Sequence, residues 1–351
     1  VMVREQQGQP ITFTLTYAED ICEGDFQLIN NPAFNPLKGI GIYVQTDEKT
    51  ICLVQGFVQG QQITIKHGGQ GSRLQVSGSD NSVKLSWETK TKAWEGEKWG
   101  KTLDKGNIEA IFKNNQHTFE YFSILENAAN ISFDDKVVQR EDDLAFLKHL
   151  AQQSGMYVWV SYGEPGLIDG KYKADEIAHF DELPLGATPE ITLVINGEDN
   201  NIDEFTISWD ADRPTSSESH QINRRNKEKK DGKTEEAPQT KLGDVSLKQL
   251  TNGVISTLLP GPANDDGVLT NRNKAALNDA EWFIQASCST TYERLCKSQN
   301  KIVHAHTLVE VQDAGSRHNG KYLVSGVTHT IDGESYKMQL ELKRNAWNES
   351  I

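Results

Sequence analysis

The segment Gln139–Val160 constrains the fold of this chain more than any other, because it joins a helix to a strand across one glycine. Asp142 or Asp143 can cap a helix and suits its positive end. Apolar side chains then recur at helical spacing, and Gly155 stands where a left-handed residue ends a helix at little cost. An apolar, β-favouring run follows. The pattern predicts a helix over 142–154 and then a buried strand, a packing element without catalytic residues.

The first 87 residues have the pattern of short strands. Ile11, Phe13 and Leu15 alternate with threonines, which predicts a strand with one buried face. Five further strands are predicted, most of them joined in pairs by polar or glycine-rich turns. They are Asp25–Ile29, Ile40–Val44, Ile51–Val58, Gln61–His67 and Arg73–Ser77. Strands this short and closely spaced favour a small barrel or sandwich.

Helical periodicity is confined mainly to the middle of the chain. Asn107–Asn114 carries apolar residues on one helical face, and Ile131–Phe133 is a short apolar run before the helix–strand segment. We therefore predict an α/β region inserted between two β regions.

The last third of the chain returns to β patterns, with two interruptions. Strands are predicted at Ile191–Ile195, Asp203–Trp209, Asn300–Glu310, Gly320–Thr330 and Tyr336–Arg344. Residues 213–241 have almost no large apolar side chain, so they are predicted to form a long, mobile loop. Residues 272–296 have an apolar stripe that predicts a helix.

Composition excludes several classes of protein. The formal net charge of −14 over 351 residues argues against a general nucleic-acid binder, which needs a basic surface. No apolar run approaches the roughly 18 residues that a membrane span needs. The first residues contain no secretory signal. The cysteines lack metal-site spacing, so they are predicted to be reduced cytosolic thiols; they are Cys22, Cys52, Cys288 and Cys296.

Few motifs suggest chemistry, and each has a simpler interpretation. Ser79-Asp80-Asn81 and Ser298-x-x-Lys301 resemble β-lactamase fragments in reversed order, which indicates chance. Asp199-x-Asn201-x-Asp203 begins like a calcium loop, but Glu204 replaces the turn glycine and Asp210 the bidentate glutamate. We interpret it as a polar turn.

Two histidines and one basic segment leave alternatives open. His304 and His306 are predicted on one strand face, where they could supply two metal ligands, but no third ligand has a readable spacing. Residues 224–233 hold six basic and two acidic residues, a pattern typical of a solvated loop or of an arm that docks on an acidic partner. We predict no catalytic, cofactor or metal site, and we assign no partner-binding residue.

Several motifs in order along nearly the whole chain resemble one family. Gln139–Val160 resembles the helix–strand signature of phage late-control D proteins, the baseplate hubs of contractile tails, which are also found in valine-glycine-repeat spike proteins of type VI secretion. Leu74–Asp80 resembles the step out of that family's first barrel, and Asp203–Ser208 the entry into its second. The C-terminal strands resemble the family at Gly320, Tyr322, Val324, Val327, His329, Tyr336 and Arg344.

The resemblance implies a mainly β (α+β) fold of two related β-barrels around an α/β domain. The expected domains are a first barrel of the tube-attachment type (1–104), an α/β domain (105–188) and a second barrel (189–351). It also implies a structural homotrimer that joins a hexameric inner tube to a trimeric spike and contacts other baseplate components. No needle or lysozyme domain follows residue 351, so the spike is expected to be a separate protein.

The function expected from this resemblance is that of a non-enzymatic hub in a contractile phage tail or phage-like injection system. The protein would be made and assembled in the bacterial cytoplasm without cofactors, nucleic-acid recognition or membrane insertion. One alternative is a tail-associated enzyme that degrades cell wall or polysaccharide, which would need two converging carboxylates. A second alternative is a monomeric carbohydrate-binding β-protein.

Overall fold

The computed structural model describes residues 1–19, 26–68, 70–94, 105–113, 119–124, 137–222, 226–252, 255–259 and 266–349. The protein is mainly β, as the sequence predicts. Its largest sheet has 11 strands and contains residues from both the first eighty and the last 160 positions of the chain. The short apolar run Ile131–Phe133 lies outside the described residues.

The first β unit contains five strands, β1 to β5. They are β1 (Met2–Gln6), β2 (Thr12–Glu19), β3 (Gly39–Gln45), β4 (Thr50–Thr64) and β5 (Ser72–Asp80). The separately predicted strands Ile51–Val58 and Gln61–His67 form the single long strand β4, which continues through a register shift between Val58 and Gly60. The prediction at Asp25–Ile29 is wrong in its described part, since residues 27–30 form a turn.

The middle region contains the predicted helix–strand segment in a small α/β layer. Its elements are β6 (Lys92–Trp94), α1 (Lys105–Lys113), β7 (Tyr121–Ile124), β8 (Val137–Gln139), α2 (Asp143–Ser154), β9 (Tyr157–Tyr162), β10 (Gly166–Ile168), β11 (Lys171–Lys173) and β12 (Glu176–Asp181). Asp142 caps α2 by accepting a hydrogen bond from the backbone N–H of Ala145, and Gly155 ends it at φ 72°. The prediction for this segment is therefore confirmed.

Helix α2 lies over a three-stranded sheet, β7-β12-β9, and the two share one core. Ile108 and Phe112 of α1, Leu147 of α2 and Phe180 of β12 are almost fully buried there. This core is separate from the one that fills the large sheet.

The last third of the chain supplies the second half of the large sheet. Its elements are β13 (Ile191–Val194), β14 (Phe205–Trp209), β15 (Ser216–Ile222), β16 (Lys229–Thr234), β17 (Val245–Ser246), α3 (Leu247–Thr251), β18 (Ser256–Leu258), α4 (Asp266–Ala280), β19 (Ile284–Thr291), α5 (Tyr292–Gln299), β20 (Leu308–Gln312), β21 (Gly320–Ile331), β22 (Tyr336–Arg344) and β23 (Ala346–Trp347). We name β14, β19, β20, β21 and β22 the second β unit.

Two predictions in this region are wrong. The predicted loop 213–241 contains the antiparallel pair β15 and β16, which packs on α4. It folds without large apolar residues because small buried serines face the helix, and Ser217 donates a hydrogen bond to Asn273. The predicted helix 272–296 is instead the end of α4, strand β19 and the start of α5. In β19, Ile284, Ala286 and Cys288 alternate inward, and this period of two was missed.

The two β units have the same strand order. In the first unit the order across the sheet is β3-β4-β5-β2-β1, and in the second it is β20-β21-β22-β19-β14. Every neighbouring pair in both series is antiparallel. The second strand in each series also shifts register against the third, between Val58 and Gly60 in β4 and between Val324 and Gly326 in β21.

Candidate functional site

The two β units meet where the first strand of one pairs with a long strand of the other. β1 runs antiparallel to β21, and Val3 lies opposite His329. The same edge of β21 pairs with two strands in succession. Residues 320–323 pair with β20, and residues 326–330 pair with β1. We call the β1–β21 pairing the closed joint. Because β1 and β21 lie more than 300 residues apart, it fastens the two ends of the chain together.

A buried cluster of three titratable side chains lies at the closed joint. Nδ1 of His304 is 2.9 Å from Oε1 of Glu5, and Nε2 of His329 is 3.4 Å from the same oxygen. The backbone N–H of Ala305 donates to Oε2 of Glu5 at 2.9 Å. The hydroxyl of Tyr336 is 2.9 Å from Nδ1 of His329. The Glu5 carboxylate is therefore held on both oxygens.

Burial and charge act in opposite directions on this cluster. Burial alone would raise the pKa of Glu5, but its charge interaction and hydrogen bond with His304, together with the nearby ring of His329, hold that pKa well below its usual value. Burial favours a lower pKa for His304, yet the Glu5 carboxylate raises it. In His329 burial prevails over the Glu5 charge and lowers the pKa. The cluster therefore keeps Glu5 ionised inside the protein.

A cavity of about 710 Å³ opens beside this cluster. Its walls come from β1, β4, β9, β12 and residues 301–308, so both β units and the middle region contribute. In one wall the indole of Trp159 stacks between two imidazoles, 4.4 Å from His179 and 4.7 Å from His306 between ring centroids. Burial lowers the pKa of each histidine to about 4. Both imidazoles are therefore uncharged near neutral pH, and the stack joins β9 and β12 to the segment that contains His306.

The outer edges of the two β units carry exposed apolar side chains. Within the described part of the chain, β14 pairs only with β19, and residues 60–64 of β4 pair only with β5. We call these two free stretches the open edges. Trp209 on β14 is 59% exposed and Ile63 on β4 is 40% exposed. Free strand edges with apolar side chains favour pairing with another chain.

The predicted histidine pair is not on one strand face. Residues 301–306 form an extended segment and a turn before β20, with His306 at φ 64°. His304 faces Glu5, whereas His306 stacks on Trp159. Glu5 and His329 were missed as partners of His304, although both occupy inward positions of alternating strands, beside Val3 and Val327. A charged residue at such a position is the signal that sequence reasoning could have used.

The other sequence candidates do not form a shared site. Asp80 caps a 3-10 helix (Asn81–Ser86) by accepting from Ser82. Asn201 bonds the backbone of β13 at Thr192 and Val194, and so has a structural role. Cys52 and Cys288 are buried free thiols.

Three basic residues of the 224–233 segment have acidic partners nearby. Lys229 pairs with Asp231, Lys230 with Glu228 and Asp266, and Lys233 with Glu218 and Glu235. Arg224 and Arg225 lie outside the described residues.

A family model described as the Alg8 N-terminal domain matches residues 14–333. The chain belongs to this family. No curated protein sequence matches the chain. No helix in the described residues is both long and apolar enough to cross a membrane.

Three solved structures share the fold over nearly the whole chain. A tail protein from Neisseria meningitidis MC58 has a TM-score of 0.64 at 15% identity, covering 99% of this chain and 92% of its own. The 43 kDa tail protein of prophage MuSo2 from Shewanella oneidensis has a TM-score of 0.60 at 12% identity, covering 98% and 93%. The E. coli c3393 protein, a component of the type VI secretion system, has a TM-score of 0.54 at 11% identity, covering 98% and 72%. The predicted resemblance is confirmed at the level of the fold, which this chain shares with tail and type VI secretion proteins.

Proposed function

We propose that this chain is a structural hub protein in the baseplate of a contractile phage tail or a phage-like contractile injection system. It acts as a trimeric adaptor between a hexameric inner tube and a trimeric spike. The whole-length fold likeness to tail proteins supports the class of function. The observation that carries the trimer is that one chain contains the same five-strand order twice, with one joint closed and its counterpart open.

The register of the two units identifies which residues correspond. Val3 pairs with Phe13, and Phe13 with Gly78, which lies opposite Val58 just before the register shift. In the second unit the matching series is Ile207, Ala286, Leu342 and Val324. Val3 therefore corresponds to Ile207.

The same register identifies the partner position on the long strands. A glycine follows each register shift, Gly60 in β4 and Gly326 in β21. The residue three positions further along is Ile63 in β4 and His329 in β21. Since Val3 pairs with His329 in the closed joint, the matching pair is Ile207 with Ile63.

Within one chain the two open edges belong to different units, so we assign their pairing to neighbouring copies. β14 of one chain would add to β4 of the next as β1 adds to β21, burying Ile207, Trp209 and Ile63. A head-to-tail contact that repeats in this way closes into a ring when the rotation permits. Three chains then present six similar β units around one axis. This arrangement matches a sixfold tube on one face and keeps threefold symmetry for a spike on the other.

The interface can be tested by a disulfide across the proposed pair. We expect Ile63→Cys with Ile207→Cys to give a covalent trimer under mild oxidation, because directly opposite residues in antiparallel strands bring their Cβ atoms within disulfide range. Gel electrophoresis without reductant measures the product. The matched controls are each single variant and the pair Gln62→Cys with Ile207→Cys, which is one residue out of register.

Light scattering and electron microscopy test the assembly itself. A chain that is trimeric by light scattering but shows no cross-link above the controls would contradict this interface. Averaged micrographs of the particle should show threefold density at the tip of the tube, and sixfold or absent density there would contradict the adaptor. If the isolated chain is a monomer that binds carbohydrate, the alternative of a carbohydrate-binding β-protein would be favoured instead.

The enzymatic alternative has one observation in its favour, the cavity with several acidic residues in its wall. Three of the five carboxylates in its wall are engaged, however: Glu5 with His304, Asp181 with Ser123 and Glu190 with Lys301. The bond and charge of Lys301 lower the pKa of Glu190, the opposite of what a general acid needs. Turnover of peptidoglycan or capsule by the purified chain would overturn the non-enzymatic role.

A further inference from the structure

We propose that Glu5, His304 and His329 form a binding site for one divalent transition-metal ion, with Zn²⁺ as the best-matched cation. The ligand atoms Oε1 of Glu5, Nδ1 of His304 and Nε2 of His329 all lie within 4.8 Å of one another. Two imidazoles and one carboxylate form a common three-residue zinc set that leaves a fourth position open. The sequence offered no such site, since its three members lie in β1, the 301–306 segment and β21.

The spacing suits coordination. Ligands about 2.0–2.1 Å from a tetrahedral zinc ion are separated by roughly 3.3–3.5 Å from one another. Nε2 of His329 lies 3.4 Å from Oε1 of Glu5, and Nδ1 of His304 lies 2.9 Å from the same oxygen. A few tenths of an ångström of side-chain movement at His304 would bring its Nδ1 to the same separation from Oε1 of Glu5.

His329 supplies a second observation that points to a ligand. Its side chain is fully buried, and its Nε2 makes no hydrogen bond to any residue in the described part of the chain. The atom faces Glu5 at 3.4 Å, too far for a good hydrogen bond. A buried polar atom without a bond is costly, and a metal ion between Nε2 and the carboxylate would remove that cost.

Neighbouring groups form hydrogen bonds that orient two of the ligands, as is common for metal ligands in proteins. The Tyr336 hydroxyl contacts Nδ1 of His329, which leaves Nε2 for the ion. Ala305 N–H binds Oε2 of Glu5 and leaves Oε1 free to coordinate. The Tyr336 ring is itself fixed by stacking on Tyr292, with ring centroids 5.5 Å apart.

The third ligand provides access. The His304 side chain is 33% exposed and, like Glu5, lines the cavity. An ion can therefore enter from the cavity, where the fourth position would hold water or a side chain of a docked partner. Bound there, the ion would tie β1 to β21 and to the segment before β20. All three ligands belong to one chain, so a test of the metal site does not depend on whether the chain forms the proposed trimer.

Cobalt binding tests the proposal, because Co²⁺ in a four-coordinate nitrogen–oxygen site has an intense visible absorption. We expect the full chain, stripped with chelator and dialysed, to bind one Co²⁺ with this band and to release it to Zn²⁺. His304→Gln should lower the affinity at least tenfold, and Tyr336→Phe should lower it by about 10- to 100-fold. Zn²⁺ should raise the melting temperature of the wild-type chain.

The matched control is His306→Gln, which removes a buried imidazole two residues from His304 that faces Trp159 instead of Glu5. It should bind Co²⁺ as the wild type does. His304→Gln is preferred to a change at Glu5 because the partly exposed ring is the ligand least needed for folding, and circular dichroism checks the fold. Absence of a saturable Co²⁺ band, or equal binding by His304→Gln and His306→Gln, would overturn the site.

Discussion

The closed joint and the open edges occupy corresponding positions in the two β units, and they differ in what covers them. In the closed joint Val3 and His329 are fully buried, and Glu5 is almost so. At the open edges the corresponding positions hold Ile207, Trp209 and Ile63, which are half-buried or exposed. The closed joint contains an ionic cluster, whereas the open edges present apolar side chains. The comparison teaches that this chain places polar groups at its internal joint and apolar side chains at its free edges.

The largest effect is expected from breaking the closed joint. Val3→Asp places an unpaired carboxylate at a fully buried position beside ionised Glu5. We expect it to lower the free energy of unfolding by about 3–5 kcal/mol, as uncompensated buried charges do. Denaturant titration measures the loss, and Val3→Ala separates the charge from lost packing. An unchanged midpoint would show that β1 does not stabilise the second β unit.

A smaller, pH-dependent effect is expected at the Trp159 stack, a third contact between regions. The folded pKa of His179 is about 4, below its ordinary 6.5, so the unfolded chain binds a proton there that the folded chain does not. Stability should therefore fall as the pH drops from 6.5 towards 4. Because Asp181 opposes this shift and the ring is partly exposed, we expect on the order of 1 kcal/mol between pH 7 and pH 5.

The variant His179→Phe keeps an aromatic ring against Trp159 and removes the proton site. Its melting temperature should depend less on pH in this range than that of the wild type. The control is His67→Phe at an exposed position. Equal pH dependence in His179→Phe and the wild type would exclude His179 as the cause.

The smallest effect on stability is expected at the open edge, where an introduced aspartate stays partly exposed to water. Ile207→Asp corresponds to Val3→Asp, but its side chain is only half-buried in the single chain. It should change the free energy of unfolding by no more than about 0.5–1 kcal/mol. It should nevertheless abolish the trimer, since the charge would be buried between two copies. Light scattering and denaturant titration on the same sample distinguish these outcomes, and a trimer that persists would contradict the proposed pairing.

Local patterns predicted the parts of the fold that carry large side chains at a clear period. Helix α2 with its Asp142 cap and Gly155 end, and strands β21 and β22, follow from such patterns. The hairpin β15–β16 escaped because its buried residues are serines, which hydrophobicity does not distinguish from solvent-exposed ones. β19 escaped because its small residues fit a helical stripe nearly as well as a strand.

The candidate site was less predictable than the fold, for a reason of distance. Glu5 and His304 are separated by 299 positions, and Glu5 meets His329 only through the register of β1 against β21. Two positions of the family resemblance, His329 and Tyr336, lie in or beside the cluster. Their pattern alone indicated a strand and gave no indication of a partner for either side chain.

The pairing of β1 with β21 also affects how the protein folds. The nitrogen of Val1 donates to the carbonyl of Ile331 at 2.7 Å, a contact between positions 330 residues apart in the chain. Contacts of such long separation form slowly, and until they form both partners expose unpaired backbone. Until the closed joint forms, the unpaired edges of β1 and β21 are therefore open to mispairing with similar edges of neighbouring copies.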